Sequence, residues 1–367
     1  MHAILLFSTA LLLMAACTQS QGNPNESPST FSKGPGTENS IRTKQPDDMI
    51  KLVKREVVDR EGTNLVASTY LLPADWTVQD RLYWEYNDAT LPIRFQAKMQ
   101  NQDGSMGLQI FPDIRAVWSS GPAGVSGYRP PADIISGMKD LIRAERKDKN
   151  IRFIQEKVLR QSNQNTAQGL QSASAGVVSI EFEENGRTYE EEFYASLDIA
   201  YMATPSMMGN MESIIWAASG LLACKAEKGK LEPCRKVAQT LSASARLTKP
   251  FYNRLMQVIQ LLSDQVYARI YQAGQISRII SATNDQMIAN IDASYRESQR
   301  AYERTNNQFS DYMRGVDRYS DGGTEIQLPS GYDHAWVNNR GEYLLTNTAG
   351  YDPGRDFNGD WKLLERN

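Results

Sequence analysis

Histidine-based catalysis in this chain would have to start from one imidazole, because His2 falls within the expected signal peptide. There are two histidines, His2 and His334, and His334 follows Asp333, so these neighbours are the natural acid/base pair. A multi-histidine metal centre is excluded on that count, and any Ser-His-Asp or Cys-His arrangement would have to use His334. Ser136 and Lys139 have the S-x-x-K spacing in which a lysine activates a serine one helical turn away, but the companion S-D-N and K-T-G elements are absent. Asp356, Asn358 and Asp360 match the first three positions of a calcium loop. Trp361 and Asn367 stand where that loop requires Gly and a bidentate Glu, so a polar turn is expected there. The stretch GPAGVSG (121–127) lacks the Lys-Ser/Thr of a phosphate loop and reads as a connector. Glu190-Glu191-Glu192 is expected to be an exposed strand edge that discourages pairing. None of these patterns calls for a metal or a cofactor.

The elements that must carry such residues begin with an export signal. Ala3–Met14 is an apolar run of twelve, too short for a permanent bilayer span, which needs about 20 residues, and it reads as a signal-peptide core within residues 1–16. Ala15 and Ala16 then precede Cys17. This arrangement resembles the bacterial lipobox, in which the cysteine is lipidated and becomes the mature N-terminus, although Met14 stands where Leu is usual. A plain signal peptide cut near Ala16 would instead leave Cys17 as a free thiol. Lipidation implies a membrane anchor, an envelope location and, with Thr18 after the cysteine, outer-membrane sorting if the envelope has two membranes.

With Cys17 lipidated, Cys224 and Cys234 remain as a pair in LLACKAEKGKLEPC (221–234). An oxidising compartment favours a disulfide between them, and closing a loop of about 11 residues stabilises by roughly 2.5–3 kcal/mol in the chain-entropy view. A zinc site would need further ligands at suitable spacing, and none stands near. Charge is nearly balanced, with 40 basic against 43 acidic residues, and Lys/Arg occur in no run longer than a pair. A nucleic-acid partner is therefore not expected.

Residues 17–48 read as a lipidated tether. Of the 31 after Cys17, 22 are Ser, Thr, Asn, Gln, Gly or Pro, a mixture unable to bury enough apolar surface to offset its ordering entropy. As a flexible coil it would reach roughly 30 Å. Residues 49–247 then alternate strand and helix patterns. Strands are expected over ASTYLLPADW (67–76), LPIRFQAKM (91–99), LQIFP (108–112), IRFIQEKVLR (151–160), GVVSIEFEE (176–184) and TYEEEFYASLDIAYM (188–202), with turns at Asp103-Gly104 and Asn185-Gly186. A helix is expected after Pro130-Pro131, and another over MESIIWAASGLLA (211–223). The fold class this implies is α+β: an antiparallel sheet covered by helices. The element order and Tyr70, Pro73 and Trp76 in the opening strand resemble the family of the photosystem II extrinsic P subunit and its bacterial relatives, over roughly residues 65–225. That resemblance implies an α-β-α sandwich of exported, often lipidated proteins, and it transfers no catalytic residue.

Residues 248–318 carry an apolar stripe with a mean step of about 3.6 residues, the period of an ordinary long amphipathic helix rather than the 3.5 of a coiled coil. In its second half the stripe narrows to Met287, Ile291, Tyr295, Tyr302, Phe309 and Met313. Folding back on the same chain would cover it; so would an envelope protein or a second copy bound through 281–316. Residues 319–367 form a short, turn-rich β-module with strands around His334–Val337 and Glu342–Thr346. The sequence Pro329-Ser330-Gly331-Tyr332 with Trp336, then Gly341-Glu342-Tyr343 and Tyr351-Asp352-Pro353, resembles a C-terminal module of exported bacterial proteins of unknown function. Tyr332, His334, Trp336, Tyr343 and Trp361 are either the core of this small module or a surface on which a glycan could stack.

The sequence thus points to a non-enzymatic, membrane-anchored envelope lipoprotein that binds or positions another envelope component. A hydrolase of envelope polymers using carboxylates and His334 is the alternative. Cys17→Ser is expected to shift the protein out of the detergent phase and to leave the leader attached. An unchanged mature mass and unchanged partition would contradict the anchor.

Overall fold

A computed structural model describes residues 49–88, 91–121, 124–166, 169–206, 209–265, 295, 316–321 and 324–366. Cys17, the tether, and Met287, Ile291, Tyr302, Phe309 and Met313 lie outside the described residues. Within them are eighteen strands and three short helices in three antiparallel sheets.

The first strands are β1 (Met49–Val58), β2 (Val66–Pro73), β3 (Thr77–Trp84), β4 (Ile93–Gln100), β5 (Met106–Ile110), β6 (Ile114–Gly121) and β7 (Gly124–Gly127). Helix α1 (Ile134–Glu145) precedes four long strands, β8 (Arg152–Thr166), β9 (Gly169–Glu184), β10 (Arg187–Ser206) and β11 (Gly209–Glu227). Then come α2 (Leu231–Ser244), β12 (Arg246–Leu247) and α3 (Lys249–Gln265). The C-terminal strands are β13 (Val316–Asp321), β14 (Thr324–Pro329), β15 (His334–Asn338), β16 (Tyr343–Thr346), β17 (Trp361–Leu363) and β18 (Glu365–Arg366).

A nine-stranded sheet runs β3-β4-β5-β11-β10-β9-β8, with β6 and β7 continuing beside β11. A six-stranded sheet runs β12-β2-β1-β16-β15-β17, and β14-β13-β18 forms a small third sheet. Local chemistry sets the connections. Asn185 and Gly186 both have positive φ, 51° and 73°, as the tight β9–β10 turn requires. Asp133 caps α1, its Oδ1 accepting from Ser136 N at 2.8 Å and its Oδ2 from Ser136 Oγ at 2.7 Å.

Two expectations are corrected. The α-β-α sandwich is not what forms: α1 covers one face of the nine-stranded sheet, whereas the other face meets α2 and α3 together with a second sheet. Of the long helix expected after it, everything beyond α3 up to residue 315, except Tyr295, lies outside the described residues. Val57, Ala67, Tyr70 and Leu72 of β1 and β2 share that second core with Phe95, Val177 and Tyr194. Helical structure described within 248–318 comprises α3 and the single residue Tyr295. MESIIWAASGLLA is not a helix but most of β11. Trp216, Leu221 and Ala223 face the α1 side, while Leu222 and Cys224 face the other core. A strand buried on both faces loses its polar/apolar alternation and mimics a buried helix in sequence.

Glu190-Glu191-Glu192 is corrected as well. It lies on β10, hydrogen-bonded on both sides to β9 and β11, and Glu191 and Glu192 are 1% and 5% exposed. Being adjacent on a strand, they point to opposite faces. Glu191 is held on two oxygens by Arg146 at the end of α1, at 2.9 and 2.6 Å. Glu192 is held by Arg235 of α2 at 2.7 and 2.6 Å and accepts from Tyr194 Oη at 2.5 Å and Ser179 Oγ at 3.2 Å. Burial alone would push the Glu192 carboxyl up, but Arg235 and Tyr194 more than offset it and leave it below the usual carboxylate value. The disulfide joins Cys224 of β11 to Cys234 in the first turn of α2, both fully buried.

Removing one partner of a buried ion pair strands the other charge, which costs about 3–5 kcal/mol, against about 0–1 for an exposed pair. Arg146→Ala and Arg235→Ala are therefore each expected to lower stability in urea unfolding by about that larger amount. Arg143→Ala, which loses an exposed pair with Asp140, should change it little.

A candidate ligand-binding face on the C-terminal strands

Pairing directly across strands puts Lys51, Leu344, Trp336 and Leu363 in one row, and Met49, Thr346 and His334 in the next. Trp361 sits opposite Asn338 on the same side, because Asn338 is two residues beyond Trp336. His334, Trp336 and Trp361 thus share one face of the six-stranded sheet. Tyr343, Val337, Ala335 and Leu345 point the other way, into a core closed by Tyr319 and Leu328 of the third sheet, and Tyr332 packs against that core. Of the five residues singled out in sequence, three gather on a face and two belong to its backing.

The turn beneath this face is fixed by one side chain. Asn338 Oδ1 accepts from Arg340 N and Glu342 N, each at 3.0 Å, and its Nδ2 donates to Glu342 Oε2 at 2.7 Å. Gly341 closes the turn at φ 71°. Glu342 also pairs with Lys51 at 3.1 Å. Burial pushes its carboxyl up, but Asn338 and Lys51 prevail and hold it below the ordinary value. Lys51 Nζ lies 5.2 Å above the ring of Phe357, which meets Trp361 at 6.3 Å with the rings tilted by 59° and accepts its indole N–H at 3.3 Å through the backbone carbonyl. Trp336 and Trp361 are half-buried, and Leu363 beside Trp336 is 47% exposed. Trp336 Nε1 is enclosed and has no hydrogen-bond partner among the described residues.

The other sequence candidates are engaged elsewhere. Asp333 is exposed, and its backbone N–H donates to Asn347 Oδ1 at 2.8 Å; His334 is half-buried at the start of β15. Ser136 Oγ donates to Asp133, the cap of α1, at 2.7 Å, and Lys139 pairs with Glu156 at 2.6 Å, so the S-x-x-K residues serve separate structural bonds. Asp356 accepts from Tyr351 Oη at 2.6 Å, and burial together with that bond pushes the phenol up to about 12. Among the described residues no three His, Cys, Asp or Glu side chains come together as a metal site. No helix among them is long and apolar enough to cross a membrane.

No family model matches the chain, and no curated protein matches it. Among solved structures it is similar to the crystal structure of LpqN, involved in cell envelope biogenesis of Mycobacterium tuberculosis. The identity is 14% and the TM-score 0.19, over 54% of this chain and 91% of that one. So distant a likeness carries neither fold nor function across.

Sequence reasoning placed Glu191 and Glu192 on an exposed edge and missed a set of buried ionisable residues, Asp113, Arg115 and Asp198, which show no spacing signature. The one available signal was Pro112, which marks a break in the apolar run just before Asp113.

Proposed function

We propose that this chain is a membrane-tethered cell-envelope protein that holds another envelope component without transforming it, and that the component is a carbohydrate stacked on the face of Trp336 and Trp361. The observation that carries this reading is the gathering of His334, Trp336 and Trp361 on one side of a sheet. Indole faces suit the C–H surfaces of sugar rings, and an adjoining imidazole can exchange hydrogen bonds with hydroxyls. The position is apt. The strand following the tether, β1, pairs with β16 through Met49 and Thr346, so the tether joins the same sheet that presents the face. The anchor itself rests on the Cys17 motif.

Purified protein is expected to be retained by insoluble envelope polysaccharide, and Trp336→Ala and Trp361→Ala should each weaken retention by about tenfold. Tyr332→Ala, on the opposite side, should leave it unchanged. Equal retention of all variants would remove this face from the function, and no retention of the wild type on any envelope polysaccharide would remove the ligand class.

A further inference from the structure

The nine-stranded sheet is creased along one line. β11 pairs with β6 through Glu212–Ala218 and with β5 through Leu222–Ala226, so its partner changes at residues 219–221. Pro112 and Asp113 form the matching break between β5 and β6. Next to it, β10 slips register against β11 between Tyr194 and Ser196, and at the far edge β8 slips against β9 between Val158 and Arg160. Gly176 pairs with both Ala195 and Val158, so the breaks line up across the strands. Gly220 provides the bend with φ 63°. Beyond the crease lies an arm made of β6, β7 and the outer parts of β8–β11, with Val117, Val125 and Tyr128 exposed.

Ionisable groups occupy the crease. Asp113 is 5% exposed and accepts from the Gly220 backbone N–H, while its Oδ2 is enclosed with no hydrogen-bond partner among the described residues. Ser219 beside it is fully buried, with its Oγ likewise unpartnered among those residues. The charges facing Asp113 are Arg115 on β6 and Arg94 on β4. Arg94 is already paired with Glu85 and Asp88, each at 2.9 Å. Arg115 also faces Asp88 and Asp198, and Asp198 of β10 faces Arg160 in addition.

We propose that this crease is a proton-sensitive hinge, in which a protonated Asp113 locks the β6–β7 arm against β11 and an ionised Asp113 loosens it. A carboxylate with one oxygen enclosed and unbonded is costly, and the uncharged acid removes that cost. Burial pushes Asp113 up to about 7, against the Gly220 N–H and the two arginines, and pushes Asp198 up to about 6 against Arg115 and Arg160. An acid whose value is higher folded than open contributes its full stability below about pH 4, the ordinary aspartate value. That contribution is lost as pH rises through about 7. Neutral and alkaline conditions therefore open the hinge, and mild acid closes it.

Hydrogen exchange on the full chain, corrected for intrinsic rates, tests this. Protection over residues 111–121 and 212–221 should fall roughly tenfold or more between about pH 5.5 and about pH 8.5, while α2 keeps its protection. Asp113→Asn should lose most of that fall in protection, and Asp198→Asn, which leaves Asp113 in place and removes an acid pushed up only to about 6, should keep most of it. An unchanged response in Asp113→Asn, or none in the wild type, overturns the proposal. If Asp113→Asn does not fold, carbon NMR of aspartate-labelled wild type decides: an Asp113 carboxyl titrating near neutrality supports the hinge, and one already ionised at about pH 5.5 refutes it.

Discussion

Two neighbouring carboxylates on a central strand organise the molecule. Because successive side chains of a strand leave by opposite faces, Glu191 and Glu192 can each take an arginine from a different helix, Arg146 at the end of α1 and Arg235 in α2. A buried carboxylate tolerates its site only if both oxygens are bonded, so each helix is fixed in rotation and height as well as by its apolar contacts. The disulfide acts on the same side as Arg235, joining the first turn of α2 to β11. Strand β10 is thus the reference line from which both layers are placed.

Around that line the chain closes on itself. β1 pairs with β2 on one side and with β16 on the other, which brings the first described strand and the C-terminal strands β15, β16 and β17 into one sheet. The third sheet covers one face of those strands through Tyr319 and Leu328. The opposite face carries the half-buried Trp336 and Trp361 beside Leu344 and Thr346, which are fully buried. Tyr343, on the covered side, packs in a core with Leu52, Leu328, Val337 and Leu345. The aromatics therefore divide between the two faces, separated by the pleat of the sheet.

The long strands also carry their own irregularity. The break at Asp113 and Ser219 leaves side-chain oxygens without hydrogen-bond partners among the described residues, and bulges such as those in β8 and β10 concentrate twist and bending in a sheet. Burying Asp113 at such a place makes the fit of β6 against β11 depend on its charge.

Local features were legible in the sequence because local chemistry decides them. The turn at Asn185-Gly186 needs residues that accept positive φ, the start of α1 needs a capping oxygen from Asp133, and β15 and β16 announce themselves as short runs on either side of the turn at Asn338–Gly341. The leader and tether are statements of composition and stay so. What the sequence could not decide was which faces would be covered. β11 reads as a helix because it is apolar on both sides, and it is apolar on both sides because two layers pack against it. Glu191 and Glu192 read as a solvated edge because their arginines lie 45 and 43 residues away. His334, Trp336 and Trp361 separate from Tyr332 and Tyr343 by strand register alone. Burial and long-range pairing belong to the assembled sheets, and no window of neighbouring residues contains them.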